Sequence, residues 1–363
     1  MTASNVASMA PNETKPLIIF INPASGTKIA KKLFKKTLQP NLENNELDYE
    51  LIETEYAGHA SEEVQKRDYS NIGGIVTISG DGLIHEVLNG IYSLPNWEHI
   101  MKTTPIGIMP GGSGNALNCS LLHQLNQPLD GRYKLGEDHS SNNVCSGAKS
   151  SRKIGFDLIE VETQERRLIS FLGVTIGIVA DVDIGSEIIR FLGFMRSYLL
   201  VAYKILVPRV YHARLSYLPL EKDASGKIIP VQPTDRKVDL PPLNHPVPND
   251  WVTEVGQYLL VYAINLCLLD PVNLLAPNSR VDDGVIWLVI VKSSIQRKDM
   301  VDWLMNMKNG GHVNKPGVEM IPIRAFRIEP IRPPGYLSID GESFKFGPVQ
   351  GQLLAKRARL FRA

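Results

Sequence analysis

The sequence predicts two domains: an α/β domain on a mostly parallel sheet, then a β-rich domain with antiparallel strands. Three observations carry this. The 363 residues exceed one ordinary core at ~150 residues per domain. Between residues 17 and 125, β-branched apolar runs alternate with helical patterns, as in parallel βαβ units. From residue 154 onward, apolar runs follow one another with few helices between them. The expected boundaries are a disordered tail over 1–15, a first domain over 16–150 and a second over 151–363. A Pro-rich insertion at 221–250 interrupts the second.

In the first domain Leu17 to Ile21 reads as a strand. A turn, Asn22-Pro-Ala-Ser-Gly26-Thr, and a helix over 28–37 follow. Asp48 to Thr54 is the second strand; Thr54 to His59 is its exit, and Ser61 with Glu62 and Glu63 opens a helix as an N-cap. The third strand, Ile75 to Ile78, stops at Ser79-Gly80-Asp81-Gly82, before a helix with Ile84, Val87, Leu88 and Ile91 on one face. The fourth, Pro105 to Met109, ends in Pro110-Gly-Gly-Ser-Gly-Asn115, and a helix starts near Ala116. Right-handed crossovers bring the turns at 22–27, 54–58, 79–82 and 110–115 to the carboxyl edge of the sheet, where ligands bind.

Residues 126–153, rich in Asn, Gly, Ser and Asp, read as a crossing linker. Strands are then expected at Ile154–Glu162, Leu168–Ala180, Arg214–Leu220, Gln257–Leu269, Val285–Lys292 and Met320–Ile328. Helices are expected over Ser186–Leu206 and Ile295–Lys308, the latter stopping at Asn309-Gly310-Gly311.

A net charge of +1 gives no case for a nucleic-acid partner. The three cysteines are scattered, with no metal or disulfide spacing, which points to a reducing, cytoplasmic setting. Residues 1–15 lack a signal pattern, and the longest apolar stretch, Tyr258 to Leu269, is too short to span a bilayer. Membrane contact is therefore expected to be peripheral.

Strand, tight Gly turn and helix N-terminus together make an anion site, because exposed N–H groups and the helix dipole favour negative charge. Asp81 lies inside such a turn, where it can hold Mg²⁺ or accept a proton from an attacking hydroxyl; the plainer reading is a connecting Asp-Gly turn. Asp183, Glu187 and Arg190 share a helical face near Arg196, as a phosphate and amine site or as a surface ladder. Asp340-Gly341-Glu342 reads as a hairpin turn that can supply a Mg²⁺ ligand. His85, His123 and His312 show no metal-ligand pattern, and His312 follows a helix stop. Lys31, Lys32, Lys35 and Lys36 form a positive helix face suited to anionic lipid, and Leu199, Leu200 and Tyr203 with Lys204 form a candidate apolar patch. For both, the ordinary alternative is a solvated face or core.

Together these pieces resemble the diacylglycerol-kinase-type lipid kinases and, within them, the sphingosine kinases. The carriers are Asn22-Pro-Ala-Ser-Gly26, Ser79-Gly-Asp-Gly-Leu-Ile-His-Glu-Val-Leu-Asn89-Gly, Pro110-Gly-Gly-Ser-Gly-Asn-Ala-Leu117, Ala180-Asp-Val-Asp183 with Arg190 and Arg196, and Asp340-Gly-Glu342. The resemblance implies a first domain that binds ATP and a β-sandwich second domain that holds lipid. It implies Asp81 as the base for a primary hydroxyl, with Glu86 in support. Nucleotide contacts are implied for Asn22, Pro23, Ala24, Thr54, Glu55, Tyr56, Ala57, Gly58, Ser79, Gly80, Gly82, Gly111, Gly112, Ser113, Arg190, Arg196, Asp340, Gly341 and Glu342. Mg²⁺ would be met by Glu342 through water or phosphate, and the sphingoid head by Asp183, with Glu187 and His312 also placed at the substrate. Gly173 and Val201 depart from the pattern, being apolar where polar residues flank the head group. The tail Lys356-Arg-Ala-Arg-Leu-Phe-Arg is unusually basic.

The expected activity is ATP-dependent phosphorylation of sphingosine and related bases to sphingosine 1-phosphate, at anionic membrane surfaces; a homodimer stays open. The alternatives are a kinase for diacylglycerol or ceramide, a nicotinamide-nucleotide kinase, and a non-catalytic lipid-binding protein of the same fold.

Overall fold

A computed structural model describes residues 14–25, 28–128, 139–150, 152–187, 200, 203–333 and 335–363. The parallel sheet runs in the order β4 (Ile106–Pro110), β3 (Gly74–Ser79), β1 (Leu17–Ile21), β2 (Tyr49–Glu53). The runs in β1, β3 and β4 are buried throughout because both faces are covered, whereas the edge strand β2 is partly exposed. Ile18 and Phe20 pack with α3 (His59–Gln65) and α4 (Asp81–Tyr92). Leu17, Ile19 and Ile21 face α1 (Ala30–Leu33) and α2 (Gln39–Asn44) on the other side. A π-helical turn, Phe34–Leu38, joins those two helices, so one helical segment runs past the expected end at 37. Pro40 explains the wide turn. It lacks an N–H and crowds the carbonyl a turn before it, which a wider turn accommodates.

The remaining helices of this half are α5 (Trp97–Thr103), α6 (Ala116–Gln124) and α7 (His139–Lys149). The last replaces much of the expected linker. Its polar residues are buried as pairs: Ser140 donates to Asn118 (2.9 Å), Asn41 to Ser141 (2.8 Å) and Asn143 to Gln127 (3.0 Å). A polar composition therefore disguised a packed helix.

The second half is antiparallel, with strands β5 (Lys153–Thr163), β6 (Arg167–Ser170), β7 (Gly173–Gly177), β8 (Tyr211–Pro219), β9 (Val252–Ile264), β10 (Ile286–Lys292), β11 (Val318–Pro330), β12 (Leu337–Ile339), β13 (Glu342–Phe344) and β14 (Val349–Phe361). The longest strands change partner halfway. β9 pairs β8 through its first half, then β7 and β10 through its second. Long bent strands that serve two sheets are how a sandwich turns its corners. β14 also returns to the first domain, pairing parallel to β4 at Leu360 and Ile106, so a single 14-stranded sheet crosses the molecule.

Several expectations shift. The basic tail is strand rather than a free end, with a register shift where Lys356 sits at φ +50° and donates its N–H to buried Asp157. The run Leu168–Ala180 splits into β6 and β7, and its end becomes helix α8 (Ile178–Glu187) after Gly177 at φ +112°. β9 starts five residues before Gln257 and stops before Asn265, whose side chain donates to the Asp157 and Phe171 carbonyls. The Pro-rich insertion is pinned: buried Arg327 donates to the Pro241, Pro242 and His245 carbonyls. Helix α9 (Arg297–Asn306) closes the order.

Candidate active site

The four carboxyl-edge bends form one bonded unit. The Asn22 N–H donates to Ile78 (3.4 Å), and Thr54 donates its N–H to Ile21 (2.8 Å). Gly80 donates to the Ser25 hydroxyl (3.3 Å), and Gly111 to the Ser79 carbonyl (2.9 Å). The glycines are required by this convergence. A Cβ on Gly112 would lie 2.3 Å from the Gly80 Cα, inside any tolerable contact. Asn22 caps its own turn by accepting the Ala24 N–H at 2.9 Å. Asn115 holds the fourth bend at φ +58° by bonding Gly112 in both directions. Ser79 and Gly111 are buried in this junction, whereas Ala24 and Ser113 stay exposed; Pro23 is half-buried.

Asp81 sits where the third and fourth bends meet. Its carboxylate accepts the Ala116 N–H at 2.9 Å and the Leu117 N–H at 3.4 Å, so it caps α6 from outside that helix. Loss of hydration pushes its carboxyl up to about 6, against the pull of those amides and with a further push from Asp340.

Glu86 lies five residues along α4 and turns to the second bend, accepting the Gly58 and Ala60 N–H groups at the start of α3. It therefore positions residues 54–58 and makes no hydrogen bond to Asp81 among the described residues, in place of the expected support. Burial raises its pKa, and Glu342 adds to the rise. Its Oε2 is buried without a partner. Glu342 reaches the same edge: a Cβ on Gly82 would meet its Oε1 at 2.9 Å. On the second bend Tyr56 stacks on His59 with ring centroids 4.8 Å apart, Glu55 and Ala57 are exposed, and Gly58 turns at φ +91°.

The hairpin turn at Asp340-Gly341 departs from expectation. Asp340 points inward, accepting the Ser170 hydroxyl (2.6 Å), the Leu172 N–H (2.9 Å), the Phe171 and Gly173 N–H groups, and pairing with His85 Nδ1 at 2.8 Å. It is an anchor that locks the β12–β13 hairpin to α4, and only Glu342 faces the bends. Asn89 completes this lock, exchanging two bonds of 2.9 Å with Ile169. His85 and Asn89 belong to the motif that carries the resemblance, but the motif does not record their pairing with Asp340 and Ile169.

Asp181 and Asp183 diverge within one turn of α8. Asp181 is buried and takes Tyr211 (2.6 Å), Lys204 (2.9 Å) and Arg209 (3.3 Å), while Asp183 is exposed. Lys204 thus folds inward and does not join a surface patch; Tyr203, Leu206 and Val207 remain exposed. Arg190, Arg196, Val201 and the Glu187 side chain lie outside the described residues. His312 is fully buried, its Nε2 lies 2.8 Å from the Leu275 carbonyl, and it packs against Trp303. Among the described residues no group of three or more His, Cys, Asp or Glu could hold a metal ion by itself, and no helix is long and apolar enough to cross a membrane.

Comparison with known proteins agrees with this geometry. The diacylglycerol kinase catalytic domain family matches residues 16–146, and the YegS C-terminal NAD kinase beta sandwich-like domain matches residues 257–362. Sphingosine kinase 1 of Rattus norvegicus is 33% identical over 350 residues, covering 93% of this chain and 88% of its own length. Sphingosine kinase 1 of Homo sapiens is 33% identical over 347 residues with the same coverage, and that of Arabidopsis thaliana is 29% identical over 350 residues, covering 90% and 68%. In fold, the crystal structure of a diacylglycerol kinase from Bacillus anthracis superposes with a TM-score of 0.67 at 17% identity, covering 97% of this chain and 99% of that one.

Proposed function

The chain belongs to the sphingosine kinase family, lipid kinases of the diacylglycerol kinase type, and from that premise we propose that it transfers the γ-phosphoryl group of ATP to the primary hydroxyl of a sphingoid base, making sphingosine 1-phosphate from sphingosine. One observation carries the reading most. Asp81 is the carboxylate held at the junction of the third and fourth bends, with its affinity for a proton raised to about 6.

Phosphoryl transfer asks mainly for positioning and charge neutralisation. The exposed turns at Ala24 and Ser113 are suited to triphosphate oxygens, and Arg190 and Arg196 are the expected cations. Asp81 aligns the lipid hydroxyl and takes its proton as the new bond forms; a carboxylate near 6 does this better than one in water. Mg²⁺ favours a few carboxylates plus phosphate oxygens and water. Glu342, with the unpartnered Glu86 Oε2 near it, fits that demand. When bound, the ion supplies neutralisation of phosphate charge. Asp183, exposed on α8, is the carboxylate we assign to the substrate amine. The lysine face on α1 and the exposed Tyr203, Leu206 and Val207 are suited to an anionic membrane surface in the cytoplasm.

The test is a lipid panel with labelled ATP, run on wild type and Asp183→Asn. Labelling of sphingosine, with a KM for it that rises severalfold in the variant while the KM for ATP holds, is the expected result. Labelling confined to diacylglycerol or ceramide transfers the reading to a neutral-lipid kinase, and lipid binding without labelling makes it a non-catalytic relative.

A further inference from the structure

The hairpin that carries Glu342 has little backbone to hold it. β12 and β13 are three residues each, and β13 ends the sheet with β12 as its neighbour. A hairpin this short is marginal by itself, and three residue pairs join β12 to β7. The Asp340 side chain in its turn supplies the rest. Four of the groups bonded to it, on Ser170, Phe171, Leu172 and Gly173, come from the turn between β6 and β7, so they fix the hairpin within the second domain. Among the described residues the fifth is His85, and it comes from α4 of the first domain, with Nδ1 2.8 Å from Oδ2. A carboxylate accepts and does not donate, so that nitrogen carries the proton. The His85 ring also meets Phe344 of β13 edge-on, with centroids 6.4 Å apart. Asp81, His85 and Asn89 follow one another at four-residue steps along α4, about 6 Å each, and share a face. The candidate base, the grip on the hairpin and the grip on Ile169 of β6 are therefore spaced by turns of one helix.

We infer that His85 is a positioning residue for phosphoryl transfer: through Asp340 it holds the second-domain hairpin against α4, so that Glu342 meets the nucleotide beside Asp81. The reach of Glu342 shows what is at stake, since its Oε1 lies where a Cβ on Gly82 would come within 2.9 Å. The inference rests on the kinase reading above. Leucine at position 85 fills the same apolar space but leaves Asp340 without its bond to the first domain. Asparagine places its Nδ2 where the imidazole has Nδ1, and can still donate.

The experiment is calorimetric titration of the full chain with ATP and Mg²⁺, without lipid, on wild type, His85→Leu, His85→Asn, Glu342→Gln and the double variant His85→Leu with Glu342→Gln. His85→Leu should weaken nucleotide binding roughly tenfold, the size of one charge-assisted hydrogen bond, and His85→Asn should stay within about twofold of wild type. Because His85 acts through the hairpin, adding His85→Leu to Glu342→Gln should cost less than about twofold more. The KM for sphingosine should move by less than about twofold in His85→Leu, and its amides at 337–344 should exchange hydrogen faster than in wild type. Calorimetry reads the affinity of the folded fraction, so partial misfolding lowers the stoichiometry and leaves the affinity readable. Unchanged nucleotide binding in His85→Leu, a full tenfold loss persisting on top of Glu342→Gln, an equal loss for nucleotide and lipid, or no rescue by asparagine overturns the inference and leaves the kinase reading intact. Wild type that binds no ATP overturns the kinase reading itself.

Discussion

Two Asp-Gly pairs, Asp81-Gly82 and Asp340-Gly341, have opposite fates. Asp340 is sealed in and has five groups bonded to it, so its charge is fully compensated. Asp81 has two amides from one helix end, and burial has raised its proton affinity. The same dipeptide therefore provides a fully bonded anchor in one place and, in the other, a carboxylate with raised proton affinity. What separates them is the number of donors within reach. Asp181 on α8 repeats the anchored case, locked by a lysine, an arginine and a tyrosine.

The contrast should break most visibly in turnover. Asp81→Asn should lower kcat by roughly 10²–10⁴-fold, the range for removing a general base, in a labelled-ATP assay. The amide oxygen can still accept the Ala116 N–H, so the variant should melt no lower than wild type. The linkage has a definite sign. Because the folded-state pKa of Asp81 lies above its usual value of 3.8, its ionised form weighs against the fold at neutral pH and the loss is regained as pH falls through about 6. Removing the charge therefore should not destabilise.

Asp340→Asn should do the reverse. It leaves several buried donors facing an amide, at a cost of about 3 kcal/mol. That is a melting temperature lower by several degrees, read by thermal denaturation, with the loss of activity following the loss of fold. A variant pair in which Asp81→Asn melts and Asp340→Asn stays stable but inactive would exchange the two roles.

The smallest effect is in pH. With ATP saturating, kcat/KM for lipid should be level above about pH 7 and fall roughly tenfold per unit below about 6, as Asp81 takes up its proton. An acid limb centred near 4 would mean that Asp81 is hydrated like an exposed carboxylate.

Much of the first half was legible in the sequence. Each parallel strand is short and ends in a Gly-bearing or polar turn, and turn chemistry is local, so the four bends could be read directly. The second half was less so. Helix α7 was hidden because its polar residues find partners from Asn41, Asn118 and Gln127, far away in the chain. The strand after Val349 was hidden because its charged end looked like a tail. Only its pairing with β5 and β4 makes it a strand.

The sequence by itself determined the order of the strands and bends, the family and the identity of the acids, since these depend on residue types at close spacing. Only the tertiary structure decided which acid is fully bonded and which keeps a raised proton affinity. The reason is physical. Hydration, donor supply and room for a side chain are set by groups brought together from distant parts of the chain, and no local pattern records them.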